Sequence, residues 1–222
     1  MSCCGPSLLP GRQHAAAAPE SGPRSIRQAQ VPTVSTHSSA PRILLLPGWQ
    51  DSGDGHWQTR WEALHGDERV RQHDWLWPRR GDWMAQLEEA VLADERPVVL
   101  VAHSLGNHLV SAWTDHSRLV GRVQAALLVA PPDLDRPEVP PQLFNWRPMR
   151  LPRLPFPALA VYSEDDPWCT PERARWLAAQ WGVPSRSIGA RGHVNHDSGL
   201  GDWPEGRAWL QALMTRGGAP VV

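Results

Sequence analysis

The sequence contains no lysine; all 22 of its basic residues are arginine. That absence excludes several chemistries at once. A phosphate-loop lysine, a Schiff-base lysine and a serine–lysine dyad all need an amine this chain does not have. Cysteine is almost as scarce, with Cys3, Cys4 and Cys169 the whole set. Three thiols, two of them adjacent, make no disulfide framework, and no C-x-x-C pair is present for zinc. A reducing compartment follows, and the expected location is cytoplasmic. No apolar run approaches the roughly 18 residues of a membrane-spanning helix. The N-terminus has no continuous apolar stretch of the secretory kind. Charge of one sign is also lacking: the net charge is −1 and the pI about 6.8. Neither nucleic acid nor a membrane surface is therefore expected as a partner.

The 222 residues suit one domain with a sizeable core. Residues 1–40 are rich in Ala, Pro, Ser, Gln and Gly, and all 13 tryptophans lie after residue 48. A segment without large apolar side chains cannot offset its own ordering entropy. The expected organisation is a disordered leader over 1–40, a folded domain over 41–216 and a disordered tail over 217–222. Inside the domain, Ile43–Leu46, Val98–Val101, Ala125–Val129 and Leu159–Tyr162 are continuous apolar runs, as buried parallel strands are. Weaker strand patterns cover Val70–Trp77 and Ser185–Ile188. Helical patterns lie between them, at Trp57–Leu64, Trp83–Ala93, Leu109–Thr114, Glu172–Trp181 and Glu205–Met214. Trp57 and Trp61, like Leu87 and Val91, are four apart and share a helix face. The alternation predicts an α/β fold: a doubly wound, mainly parallel sheet flanked by helices. The stretch from Pro131 to Pro157 holds nine prolines and cannot form a long helix. It reads equally as a surface crossover or as a short flap carrying Leu143, Phe144 and Trp146.

The chemistry centres on Val101-Ala102-His103-Ser104-Leu105-Gly106. An apolar strand ends here and a helix begins, with small residues two before and two after a serine. This is the nucleophile-elbow pattern, with Ala102 where glycine is more usual. It makes Ser104 the candidate nucleophile and the Leu105 N–H a candidate oxyanion donor. A serine nucleophile needs a base, and the base an orienting acid. Ser163-Glu164-Asp165-Asp166-Pro167 follows a late strand, and Asp166 is preferred because it precedes proline and is biased toward extended backbone. Asp165 is the second choice, and a solvated acidic turn the plain alternative. Gly192-His193 follows the last strand and supplies the base. His196 competes, and with His193 and Asp197 it spells a weak H-x-x-H metal pattern that the nearby glycines argue against. The other histidines, His103 and His108 included, are expected to pack or to face solvent. A second oxyanion donor should come from the loop after the first strand, where Trp49 and Gln50 both qualify.

Four segments carry a family resemblance: PGWQDSGDGHWQTRWE (47–62), VAHSLG (101–106), LPFPALAVYSEDDPW (154–168) and GHVNHDSGLGDWPEG (192–206). From about residue 42 to residue 213 the chain resembles the small serine hydrolases of the retinoblastoma-binding protein 9 type, within the α/β-hydrolase superfamily. The resemblance implies a compact hydrolase sheet with little or no cap. It places nucleophile, acid and base on Ser104, Asp166 and His193. No cofactor and no metal are expected. The L-x-C-x-E motif of retinoblastoma binding is absent, so that binding role does not transfer. The expected activity is hydrolysis of a small acyl substrate, an ester first, with an amide or a thioester open to the same triad. A non-catalytic binding module on the same scaffold is the competing reading, and oligomeric state is left open.

Overall fold

The computed structural model describes residues 40–215. The expected leader (Ala40 aside) and the expected tail lie outside these residues. In chain order the elements are β1 (Arg42–Leu46), α1 (Trp57–His65), β2 (Glu68–Arg69), α2 (Arg80–Leu92), β3 (Val98–His103), α3 (Leu105–Thr114), β4 (Val123–Val129), β5 (Ala158–Tyr162), α4 (Pro171–Trp181), β6 (Ser185–Ser187) and α5 (Pro204–Thr215). The strands form one sheet in the order β2-β1-β3-β4-β5-β6, every neighbour parallel. The order reverses direction at β1, as the doubly wound expectation requires.

The four apolar runs are the four central strands, and they are apolar throughout because both faces are covered. Leu44, Leu46, Leu100 and Ala102 look toward one face, where α2, α3 and α4 bring Trp83, Leu87, Leu109, Trp113, Leu177 and Trp181. Leu45, Val99 and Val101 look the other way, onto Trp57 and Trp61 of α1 and Leu210 and Leu213 of α5. That alternation is the period of two of an extended chain. On the second face Trp57, Trp61 and Trp203 pack with ring centres 4.9–6.0 Å apart. Thr170 caps α4 by accepting from Arg173 N–H (3.3 Å), and Pro171 opens the helix. Among the described residues no helix is long and apolar enough to cross a membrane.

Two expectations are corrected and one pair of alternatives is decided. The strand expected over Val70–Trp77 is only Glu68–Arg69, extended by one bond from Val70 N–H to the Leu45 carbonyl (2.9 Å). The Asp74 carboxylate then accepts the N–H groups of Leu76 and Trp77 at 2.8 and 2.9 Å and folds the chain into a turn. Trp75 packs on Trp83 instead of joining a ladder (5.3 Å). Helix α3 begins at Leu105, four residues before the expected Leu109, because the elbow feeds it directly. Finally, the proline-rich stretch forms a crossover with a short 3-10 helix at Pro141–Trp146, not a free flap. Trp146 is buried against Trp83 and donates to the Pro78 carbonyl (2.9 Å), Leu143 is buried, and Phe144 alone of the three faces outward.

Helix α3 starts hard against the end of β1. A Cβ on Gly106 would stand 2.3 Å from the Leu46 carbonyl oxygen, so only glycine fits. By contrast, a Cβ on Gly81 in the first turn of α2 meets nothing within 4 Å. Gly106→Ala should therefore destabilise the protein by about 1–3 kcal/mol as the helix is pushed off the sheet. Gly81→Ala should stabilise it by up to about 1 kcal/mol. Urea unfolding of both variants checks the pair, and equal effects would contradict the packing described here.

Buried histidines add a pH dependence. His108 lies inside α3 beside Trp181, bonded through Nε2 to the Pro132 carbonyl (2.8 Å), and burial pushes its pKa down to about 4. Burial, reinforced by Arg69, takes His56 down to about 3, and burial holds His103 well below the ordinary value. On acidification the unfolded chain takes up these protons near pH 6.5 while the native state does not, so stability falls as pH drops below that point. The expected slope is about 1.4 kcal/mol per pH unit for each such histidine. Urea midpoints measured between pH 7.5 and pH 4.5 should decline steadily, and His108→Gln should remove about a third of the histidine-linked slope. A flat profile would contradict the burial of these rings.

Candidate active site

Ser104 joins β3 to α3 with φ 52° and ψ −123°, a conformation that costs a non-glycine residue strain. Its surroundings hold it there. The Ser104 N–H donates to the Val129 carbonyl on β4 (3.0 Å). The fully buried Asn107 donates through Nδ2 to the Ser104 and Val129 carbonyls at 2.8 and 2.7 Å. Its own N–H adds a second bond to the Ser104 carbonyl (3.0 Å). Gly48 on the loop after β1 passes so close that a Cβ there would lie 2.6 Å from the Ser104 Cβ.

The expected base and acid meet this serine. His193 Nε2 lies 2.8 Å from Ser104 Oγ, and His193 Nδ1 lies 2.9 Å from both carboxylate oxygens of Asp166. The Asp166 side chain is 2% exposed and that of His193 11%. The second-choice acid, Asp165, is aimed elsewhere. Its Oδ1 accepts from Gly192 N–H and from Ser163 Oγ, both at 2.7 Å, and those bonds hold its carboxyl below the usual range. Asp165 thus grips the backbone of the loop that carries His193. The competing histidine, His196, opens a short 3-10 turn and lies against Gly55. Among the described residues no group of His, Cys, Asp and Glu side chains is arranged to hold a metal.

His103 does more than pack. Its Nε2–H donates to the backbone carbonyl of His193 (2.9 Å), and burial keeps the ring neutral. Trp57 Nε1 donates to the next carbonyl, that of Val194 (2.9 Å). The base loop is therefore pinned from β3, from α1 and from Asp165. Sequence reasoning missed Asn107 and His103 in these roles. Both stand within three residues of Ser104, and that proximity was the available signal.

The two candidates for a second oxyanion donor are separated. The Gln50 N–H donates to the Trp75 carbonyl (3.1 Å) and is committed. Among the described residues no hydrogen bond takes the N–H of Trp49 or of Leu105. Gln50 and Asp51 have φ of 71° and 65°, and this strained pair is anchored by Arg69, whose buried guanidinium meets Asp51 Oδ1 at 2.8 Å. A cavity of about 270 Å³ opens at Ser104. Trp49, Leu143 and Trp168 give it apolar wall, and His56, Asn195 and His196 give it polar wall.

Comparison with known proteins bears on the family and the fold. The profile of the serine hydrolase family matches residues 43–212. No curated protein matches the sequence. Among solved structures, a putative YdeN-like hydrolase from Pectobacterium atrosepticum is 27% identical, with a TM-score of 0.69 over 78% of this chain and 90% of its own. The ydeN gene product of Bacillus subtilis is 19% identical, with a TM-score of 0.61 over 79% of this chain and 100% of its own. Carboxylesterase CesB from Bacillus subtilis is 14% identical, with a TM-score of 0.53 over 81% of this chain and 85% of its own. The last two likenesses are of fold. With the profile spanning most of the sequence and an α/β-hydrolase fold beneath it, this chain belongs to the serine hydrolase family.

Proposed function

We propose that this serine hydrolase cleaves small carboxylic esters through an acyl-enzyme on Ser104, with His193 as general base and Asp166 as its orienting acid. The observation that carries this reading is the unbroken chain from Ser104 Oγ to His193 Nε2 (2.8 Å) and from His193 Nδ1 to Asp166 (2.9 Å). Asp166 accepts a hydrogen bond from Nδ1–H, which keeps the proton on Nδ1 and leaves the Nε2 lone pair facing the serine. Ser104 Oγ attacks the carbonyl carbon as its proton passes to Nε2. The carbonyl electrons move onto oxygen, where the N–H groups of Leu105 and Trp49 receive the charge. The carbon–oxygen bond then breaks and the imidazolium returns its proton to the leaving alkoxide. Water repeats the sequence on the acyl-enzyme, releasing the acid and restoring the serine. The same steps serve amides and thioesters. The substrate is a small acyl compound, and no step calls for a cofactor. The competing reading, a binding module without catalysis, has no use for a complete proton path, and that path favours the enzyme.

A fluorophosphonate should label Ser104 alone, mapped by mass spectrometry, and an adduct elsewhere or none at neutral pH would overturn the assignment. His193→Ala should be about as damaging to kcat as Ser104→Ala. Asp166→Asn should lower kcat by about four orders of magnitude, because an amide stabilises the wrong tautomer. Asp165→Asn and His196→Ala should be far milder in the same assay.

The cavity of about 270 Å³ matches a short acyl chain better than a long one. Nitrophenyl acetate and butyrate should therefore be turned over faster than the palmitate, and the reverse order would contradict the pocket assignment.

A further inference from the structure

Two tryptophans at the cavity are not spent on the core. Most tryptophans of this chain are buried, but Trp49 and Trp168 are half-buried, and both line the cavity at Ser104. Their ring centres stand 6.5 Å apart with the planes at 85°, so the two indoles form a right-angled corner. Indole surface left open inside a cavity is available to a ligand, whereas burial in the core is the commoner fate of so large an apolar group.

Both sides of the corner are held. Trp49 Nε1 donates to the Leu76 carbonyl (3.0 Å). The Trp168 N–H donates to Asp166 Oδ1 (2.9 Å), and the Trp168 carbonyl accepts the Asp133 N–H (3.0 Å). The Arg136 guanidinium lies 5.9 Å from the Trp168 ring centre and bonds the neighbouring Pro167 carbonyl. A preformed corner favours a rigid occupant, because little freedom is lost when the two meet. A flat ring seated there can lie against the face of one indole and meet the other edge-on, and both are favoured aromatic geometries. A saturated ring of the same size buries similar area and gains neither contact.

The place of the corner selects the part of the substrate it takes. The Trp168 ring packs on that of His193, with centres 6.0 Å apart. In the proposed mechanism this imidazole returns its proton to the departing alkoxide. A proton passes only between atoms within hydrogen-bond reach, so the alcohol portion departs beside His193 and next to Trp168. We infer that Trp49 and Trp168 are specificity-determining residues that form a leaving-group subsite for a flat aromatic ring. The preferred substrates are then small esters of aryl or benzyl alcohols; this rests on the esterase reading above.

The test compares benzyl acetate with cyclohexylmethyl acetate. The two are close in size and give the same acetyl-enzyme, so their kcat/KM values differ only in binding and acylation. The ratio of benzyl to cyclohexylmethyl ester should fall roughly five- to ten-fold in Trp168→Leu and largely recover in Trp168→Phe, which restores a ring. Trp49→Leu keeps the backbone N–H assigned to the oxyanion and should lower the ratio too. Comparing ratios between variants cancels the different intrinsic reactivities of the esters. A purely structural role slows both esters together, and a leucine at either position that leaves the ratio unchanged overturns the inference while the esterase reading stands. Methyl benzoate against methyl cyclohexanecarboxylate is the acyl-side control, and a ratio that moves there and not in the alcohol pair overturns the inference as well. If no ester is hydrolysed the esterase reading falls, and the corner is tested without turnover. In nitrogen-15 spectra of Ser104→Ala, benzyl alcohol should move the indole N–H signals of Trp49 and Trp168 more than cyclohexylmethanol does. An equal response to the two alcohols, or none, overturns the inference.

Discussion

The site depends on one strained residue. Ser104 can keep a φ of 52° only because the turn around it is fixed on every side. Val129 on β4 takes its N–H, and Asn107 holds its carbonyl twice. Gly106 lets α3 start against the Leu46 carbonyl. These restraints come from three neighbouring strands and one helix, so the elbow exists only if β1, β3 and β4 are in register. The apolar runs that build the sheet are thus also what aims the nucleophile. A parallel sheet makes this economical: all its strands end on the same edge, and the loops after β1, β3, β5 and β6 converge there.

The second requirement is a base loop that stays still although little of it is buried. Its anchors are hydrogen bonds to backbone carbonyls and N–H groups: His103 to His193, Trp57 to Val194 and Gly192 to Asp165. Two of the three donors are aromatic side chains taken from the core. The arrangement has a thermodynamic consequence. Histidines held neutral inside the fold cost stability wherever the unfolded chain would protonate them. His103 illustrates the exchange, since the burial that makes it a dependable donor also makes it a liability in acid.

What could be read from the sequence follows the same physics. The central strands were legible because burial on both faces leaves an unbroken apolar run, and Ser104 and Asp166 stood out as candidates because each follows such a run, whereas His193 stood out through the Gly192-His193 pair after the polar strand Ser185–Ser187. The edges were not. Val70–Trp77 has large apolar residues at both ends, but Trp75 packs on Trp83 and Asp74 bends the chain. The Leu109 start expected for α3 reflects only its apolar stripe, whereas the helix begins wherever the elbow releases the chain. Contacts distant in sequence were out of reach altogether. Nothing local to His103 says that its partner is a carbonyl 90 residues on. The choice between Trp49 and Gln50 turned on the carbonyl of Trp75, which becomes available only because the expected strand is a turn.

The acidic run after β5 shows why adjacent identical residues need a structure to be told apart. Asp165 and Asp166 have the same chemistry and nearly the same address. The Asp166 side chain is 2% exposed, meets the His193 ring with both oxygens and also accepts the Trp168 N–H at 2.9 Å. Asp165 lies outside that shelter and accepts from the backbone beside the ring. One carboxylate therefore fixes the orientation of the imidazole and the other fixes the loop it stands on. In the proposed mechanism only the first faces the charge that forms on His193, where a buried carboxylate acts with little screening. The second supplies position alone, through a neutral donor at the solvent edge. The two functions are separable in energy although they are neighbours in sequence, and the division rests on burial, which is a property of the fold and not of the residue type.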